Sequence, residues 1–124
     1  MTGAELYKVT LDSALELPGS VAGRFSDGWE DVRVCGKWFA LLTDHCGQLV
    51  NLKAAPDDVL ELTHAYPSIM PGYHMNKRHW VSLRAGEDLD EALVRRLVAD
   101  SYLLVVSKLP KRLRPVDPDS FPHR

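Results

Sequence analysis

A chain of 124 residues, 45% of them hydrophobic and 26% charged, has the length of one domain and a composition close to the globular average. No apolar run approaches the roughly 18 residues that span a bilayer. Glu5 precedes any apolar stretch in MTGAELYKV, so neither a membrane segment nor a signal peptide is expected and a cytoplasmic location is. The formal net charge of −2 does not mark a nucleic-acid binder, although five basic residues face ten acidic ones up to Ile69 and ten face seven from Met70 onward.

In chain order, Thr2 to Leu17 reads as a first helix with Leu6, Val9, Leu11, Ala14 and Leu15 on its apolar side, stopped by Pro18-Gly19. Ser20 to Gly28 reads as irregular. Trp29 to Cys35 alternates, Gly36-Lys37 suits a tight turn, and Trp38 to Thr43 is a nearly continuous apolar strand. After a turn at Asp44, His45 and Gly47 comes a third strand, Gln48 to Lys53, completing an antiparallel meander. Pro56, Asp57 and Asp58 open a second helix whose Val59, Leu62 and Tyr66 recur at helical spacing. Pro67 closes it, and Ser68 to Gly72 reads as a loop. Trp80 to Arg84 is a further strand, and Leu89 to Leu109 a long last helix with Asp88 as its N-cap. Trp38 and Trp80 are expected in the core. The expected architecture is α+β, an antiparallel meander packed against helices within residues 1–109. A proline-rich, flexible tail is expected over 110–124.

The two cysteines, Cys35 and Cys46, are too few for a disulfide scaffold and lack CxxC spacing, so free thiols are expected. The densest run of functional groups is Tyr73-His74-Met75-Asn76-Lys77-Arg78-His79-Trp80. His74 and His79 fall on opposite faces of a strand, and no Asp, Glu or Cys within the run completes a ligand set, so no metal or other cofactor is expected. Acid–base chemistry would need a partner such as Asp44, His45 or Cys46 from another turn, and no catalytic constellation is recognisable, so the chain is not expected to be an enzyme. Adjacent Lys77 and Arg78, an amide at Asn76 and two imidazoles suit contacts to a phosphate backbone. An ordinary solvated turn accounts for the same residues equally well. Tyr73, beside Gly72, is the aromatic best placed for an exposed contact.

These same residues carry a resemblance. The stretches ALELPG (14–19), GKWFALL (36–42), VNLKAAPDDVLELTHAYPSIMPGYHMNKRHWVSL (50–83) and SKLP (107–110) resemble the MmcQ/YjbR family from about Leu6 to Leu109. Residues 20–28 and the chain after Pro110 match it poorly. The resemblance implies a double-wing-like α+β fold and a DNA-binding function, with double-stranded DNA as partner. It also implies a functional surface at His74, Asn76, Lys77 and His79, flanked by Tyr73 and Trp80. Two rivals stay open: a protein-interaction or adaptor domain with a protein partner, and a small-molecule binder in which His74 and His79 line one pocket.

Overall fold

The computed structural model describes residues 1–44 and 47–121. Among these, three helices, α1 (Gly3–Leu15), α2 (Pro56–Ala65) and α3 (Glu91–Ser107), accompany six strands. The strands are β1 (Ser20–Ser26), β2 (Trp29–Val34), β3 (Lys37–Thr43), β4 (Leu49–Lys53), β5 (Ile69–Pro71) and β6 (Trp80–Arg84). They form one antiparallel sheet in the order β1-β2-β3-β4-β6-β5, an α+β fold. Among the described residues, no helix is long and apolar enough to cross a membrane.

Thr2 and Glu5 start α1 by capping each other: the Thr2 hydroxyl accepts the Glu5 N–H at 3.1 Å and the Glu5 carboxylate accepts the Thr2 N–H at 2.9 Å. The helix ends at Leu15, three residues before Pro18. The stretch after it is a strand rather than irregular chain. Asp27-Gly28, with Gly28 at φ 75°, is a two-residue hairpin turn that folds β1 onto β2 from Ser20↔Val34 to Ser26↔Trp29. A register shift after Gly23 puts a bulge near the end of β1. At the next turn both Cys35 (φ 49°) and Gly36 (φ 76°) are left-handed, the two-residue geometry that matches strand twist.

A second bulge decides which aromatics enter the core. Val32 faces Ala40, but Arg33 faces Trp38, so Phe39 is an extra residue in β3. Phe39 is fully buried and meets Tyr102 of α3 edge-on at 5.3 Å. Trp38 is thereby turned beside Arg33 on the face away from the helices. It is 36% exposed, so the expected core position is held by Phe39 instead.

On the helix side, Leu6 and Ala14 of α1 and Val94, Val98 and Tyr102 of α3 close over Val32, Val34, Leu42 and Val50. Burial of each such large side chain stabilises the fold by about 1.5–3 kcal/mol. The segment expected to be a loop before Gly72 contains β5, three residues paired with β6 from Ile69↔Leu83 to Pro71↔Val81. An outermost strand tolerates the missing N–H of Pro71. The N-cap of α3 is Asp90, whose carboxylate accepts the Leu93 N–H at 2.8 Å. Asp88 instead accepts the Ser68 N–H at 3.0 Å and the Ser68 hydroxyl.

Beyond α3 the chain turns back along the domain. Arg114 donates to the carbonyls of Ser107 and Leu109 at 2.8 and 2.9 Å, covering the negative end of the helix. The Cys35 thiol donates to the Leu113 carbonyl at 3.3 Å, and the Phe121 ring lies 6.0 Å from Tyr102. Cys35 is a free, exposed thiol; Cys46 lies outside the described residues.

Candidate functional site

Residues 72–79 connect β5 to β6, so the run singled out in the sequence is the tip of a hairpin at one edge of the sheet. Its ends are fixed by the backbone. The Gly72 N–H donates to Trp80 O at 2.9 Å, and the Ala54 N–H donates to His79 O at 3.0 Å. Gly72 has to be a glycine, because a Cβ there would stand 2.7 Å from the Trp80 Cβ and 3.0 Å from the Met75 Cβ. Beneath the loop, the buried Ser82 hydroxyl accepts the Tyr73 N–H at 2.7 Å and donates to Asn51 Oδ1, tying the loop to β4 and β6.

Within that frame several polar groups hold the turn itself. Asn76 Oδ1 accepts the Arg78 N–H at 2.9 Å, Asn76 O accepts the His79 N–H at 3.2 Å, and Lys77 Nζ donates to Gly72 O at 3.0 Å. His74 takes a left-handed backbone (φ 59°), with its ring 4.0 Å from that of Tyr73. His74, Asn76, Lys77, Arg78 and His79 are exposed and Tyr73 is half-buried.

The loop holds the six residues on one turn. Three surface cavities of about 530, 450 and 450 Å³ are lined by none of residues 72–79. Among the described residues, no group of three or more His, Cys, Asp or Glu is placed to hold a metal ion. His45 and Cys46, considered above as partners for acid–base chemistry, lie outside the described residues.

Cations from three other elements stand at the same end of the sheet, where β4 ends and β6 begins. Lys53 is opposite Trp80 in the ladder and its ammonium lies 5.7 Å from the Trp80 ring centroid. Burial, and then the nearby charges of Lys108 and Lys37, pull the Lys53 pKa below its ordinary value. The four ion pairs among the described residues engage Lys8, Arg33 and Arg95. None of them engages Lys37, Lys53, Lys77, Arg78 or Lys108. Sequence reasoning reached Lys77 and Arg78 because they are adjacent, but not Lys37 and Lys53. Those two are 16 positions apart, and only the β3–β4 hairpin brings them to one end.

A second feature absent from the sequence reading lies on the outer face of β1–β3. Phe25 packs against Trp29 (centroids 5.7 Å) and Trp38 (4.8 Å), and the Arg33 guanidinium lies 5.8 Å from the Trp38 ring centroid.

Comparison with known proteins agrees with this geometry. The YjbR family model matches residues 15–104. The uncharacterised protein YbdF of Escherichia coli O157:H7 is 41% identical over 114 residues, covering 90% of this chain and 93% of that protein. The uncharacterised protein YjbR of Escherichia coli K12 is 31% identical over 65 residues, 52% of this chain and 55% of its own length. A crystal structure of a Deinococcus radiodurans protein with a DUF419 domain superposes with a TM-score of 0.76 at 33% identity, covering 91% of this chain and 85% of that one. A Pseudomonas syringae protein superposes with a TM-score of 0.66 at 26% identity, covering 78% and 96% respectively. With the family model matched across both the meander and the hairpin loop, the chain belongs to the YjbR (MmcQ/YjbR) family.

Proposed function

We propose that this protein contacts nucleic acid, duplex DNA in the first instance, with the 72–79 loop acting as a wing. The observation that supports this most is the clustering of cations. Lys77 and Arg78 are exposed on the loop, while Lys37, Lys53 and Lys108 stand at the same end, where burial first and then the charges of Lys108 and Lys37 lower the Lys53 pKa. Bringing like charges together is unfavourable in the free protein, and a polyanion relieves it. Phosphate contacts come from Lys77 and Arg78, and His74 and His79 add donors. Asn76 has its oxygen committed to the turn, which leaves its NH₂ to donate to a base edge or a phosphate. Because the net charge is −2, affinity is modest and local. A salt titration of duplex binding tests the reading: affinity falls as salt rises, and Lys77→Ala with Arg78→Ala lowers both the affinity and the salt slope, by about one unit per lost phosphate contact. Affinity indifferent to salt, or none at low salt, would sink it.

A protein-interaction role is the second reading, and one observation favours it. β1 is an outermost strand with every residue from Val21 to Ser26 exposed, and an open edge of this kind can accept an extended segment of another chain.

A further inference from the structure

We propose that the outer face of β1–β3 is a base-stacking platform for single-stranded nucleic acid, in which unpaired bases seat on Phe25 and Trp38 beside the Arg33 guanidinium. The inference rests on the nucleic-acid reading of the hairpin loop and adds to it a second contact that only unpaired bases can make.

Exposure is the first reason. Phe25 is 40% and Trp38 36% exposed, and Val21 beside them in β1 is 65% exposed. The bulge at Phe39 turns Trp38 outward while the core keeps its aromatic at the next position. Phe25 and Trp38, in ring contact with each other, thus present aromatic surface to solvent.

Preorganisation is the second reason. The Asp31 carboxylate is fully buried and grips Arg33 by two bonds, Nε to Oδ1 at 2.9 Å and Nη2 to Oδ2 at 3.3 Å. This holds the guanidinium 5.8 Å from the Trp38 ring centroid. The carboxylate lies close to Gly23, its ladder partner, where a Cβ would stand at a tight 3.1 Å from Asp31 Oδ1. A planar cation fixed against an exposed indole, with a phenyl ring 4.8 Å from it, offers π surface and charge together, the combination on which unpaired bases stack.

Charge gives the third reason. Carboxylates on these strands are engaged, Asp31 by Arg33 and Glu30 by the Tyr7 hydroxyl at 2.6 Å. Lys37 pairs with the core residue Val34 and so belongs to the opposite face from Trp38, whereas Lys53 faces Trp80 at the base of the loop. A strand stacked on Trp38 can therefore run its phosphates past Lys53 toward Lys77 and Arg78. A duplex hides its base faces and can use only the cations.

The test compares binding of a short oligothymidine, an abasic strand of equal length and a duplex. Oligothymidine is expected to bind more tightly than the abasic strand and to quench tryptophan fluorescence. Trp38→Ala is expected to weaken oligothymidine binding about tenfold or more and leave duplex binding unchanged, whereas Trp38→Phe keeps most of the affinity and guards against a folding defect. Lys77→Ala with Arg78→Ala is expected to weaken all three ligands. Equal binding of abasic strand and oligothymidine, or no effect of Trp38→Ala, overturns the platform. If the Lys77/Arg78 variant still weakens binding in that case, the nucleic-acid reading survives and the patch falls to a protein partner. Binding of none of the three overturns both.

Discussion

The buried Ser101 hydroxyl of α3 accepts the Lys53 N–H at 2.9 Å and, with its own proton, bonds the Phe39 carbonyl at 2.6 Å. One side chain thus satisfies two backbone groups that the β3 bulge and the end of β4 leave without ladder partners. It also fixes α3 over the strand that carries Lys53. Ser101→Ala would strand a buried donor and a buried acceptor, at a cost of about 1–3 kcal/mol. A chemical denaturation curve should show that loss with an unchanged m-value. A change below about 0.5 kcal/mol, within the range of an ordinary surface substitution, would mean that water replaces the hydroxyl.

The depressed Lys53 pKa has two kinds of cause, burial first and then Lys108 and Lys37. Only the second can be removed by substitution elsewhere. Lys108→Ala should therefore move the Lys53 pKa up toward 10.5 without restoring it fully, as read by NMR titration of the side-chain ammonium. Lys37→Ala should act in the same direction and less strongly. The effect on stability has a definite sign. Between the depressed pKa and 10.5 the unfolded chain holds the proton and the folded one has released it, so stability from this group rises with pH across that window. Lys53→Met should flatten that rise. A Lys53 pKa unmoved in the Lys108 variant would show that the two charges are not near each other.

Ser82 is the link between the core and the loop. Replacing it with alanine leaves the Tyr73 N–H and Asn51 Oδ1 without their shared partner, a cost of about 1–3 kcal/mol. The loss should appear locally as faster amide exchange at Tyr73. Gly72→Ala perturbs the same loop by a different route, forcing a Cβ into Trp80 and Met75, and overpacking of this kind costs about 1–3 kcal/mol. Both variants should weaken duplex binding although neither removes a cation. Retained affinity with a displaced loop would move the contact away from residues 72–79.

The loop was legible in the sequence because its functional groups are contiguous, and the helices because their apolar residues repeat at the helical period. β1 was missed because it has one neighbouring strand and almost no burial, so Val21-Ala22-Gly23-Arg24-Phe25 carries no inside–outside alternation. The Asp27-Gly28 pair was nevertheless a hairpin signal that pointed to it. β5 is hidden for another reason: Pro67 just before it and Pro71 as its last residue mask three residues whose pairing depends on β6 being present. Trp38 was placed on the wrong side because a bulge inverts the facing of everything before it, and nothing local in WFALLT announces the extra residue. Asp88 looked like a helix cap because Asp88 and Asp90 both precede the apolar run. Only the fold brings Ser68 to the first of them.

That Asp88–Ser68 contact ties the start of β5 to the segment leading into α3, across 20 positions of sequence. The Ser68 hydroxyl and N–H both donate to the carboxylate, and together they hold the Asp88 pKa below its ordinary value of 3.8. A carboxyl whose pKa is depressed by folding contributes stability that is fully present above the unfolded value. That contribution is lost as the pH falls through the folded one. Asp88→Asn keeps an acceptor but removes the charge, so it should lower Tm at neutral pH. The gap to the wild type should then close progressively below about pH 4, where the unfolded carboxyl takes up its proton. Ser68→Ala should behave as the same lesion from the other side, and the double variant should cost less than the sum of the two. Thermal melts of the four proteins from neutral to acid pH decide the matter. A Tm difference independent of pH would show that the carboxylate charge takes no part in holding β5 in place.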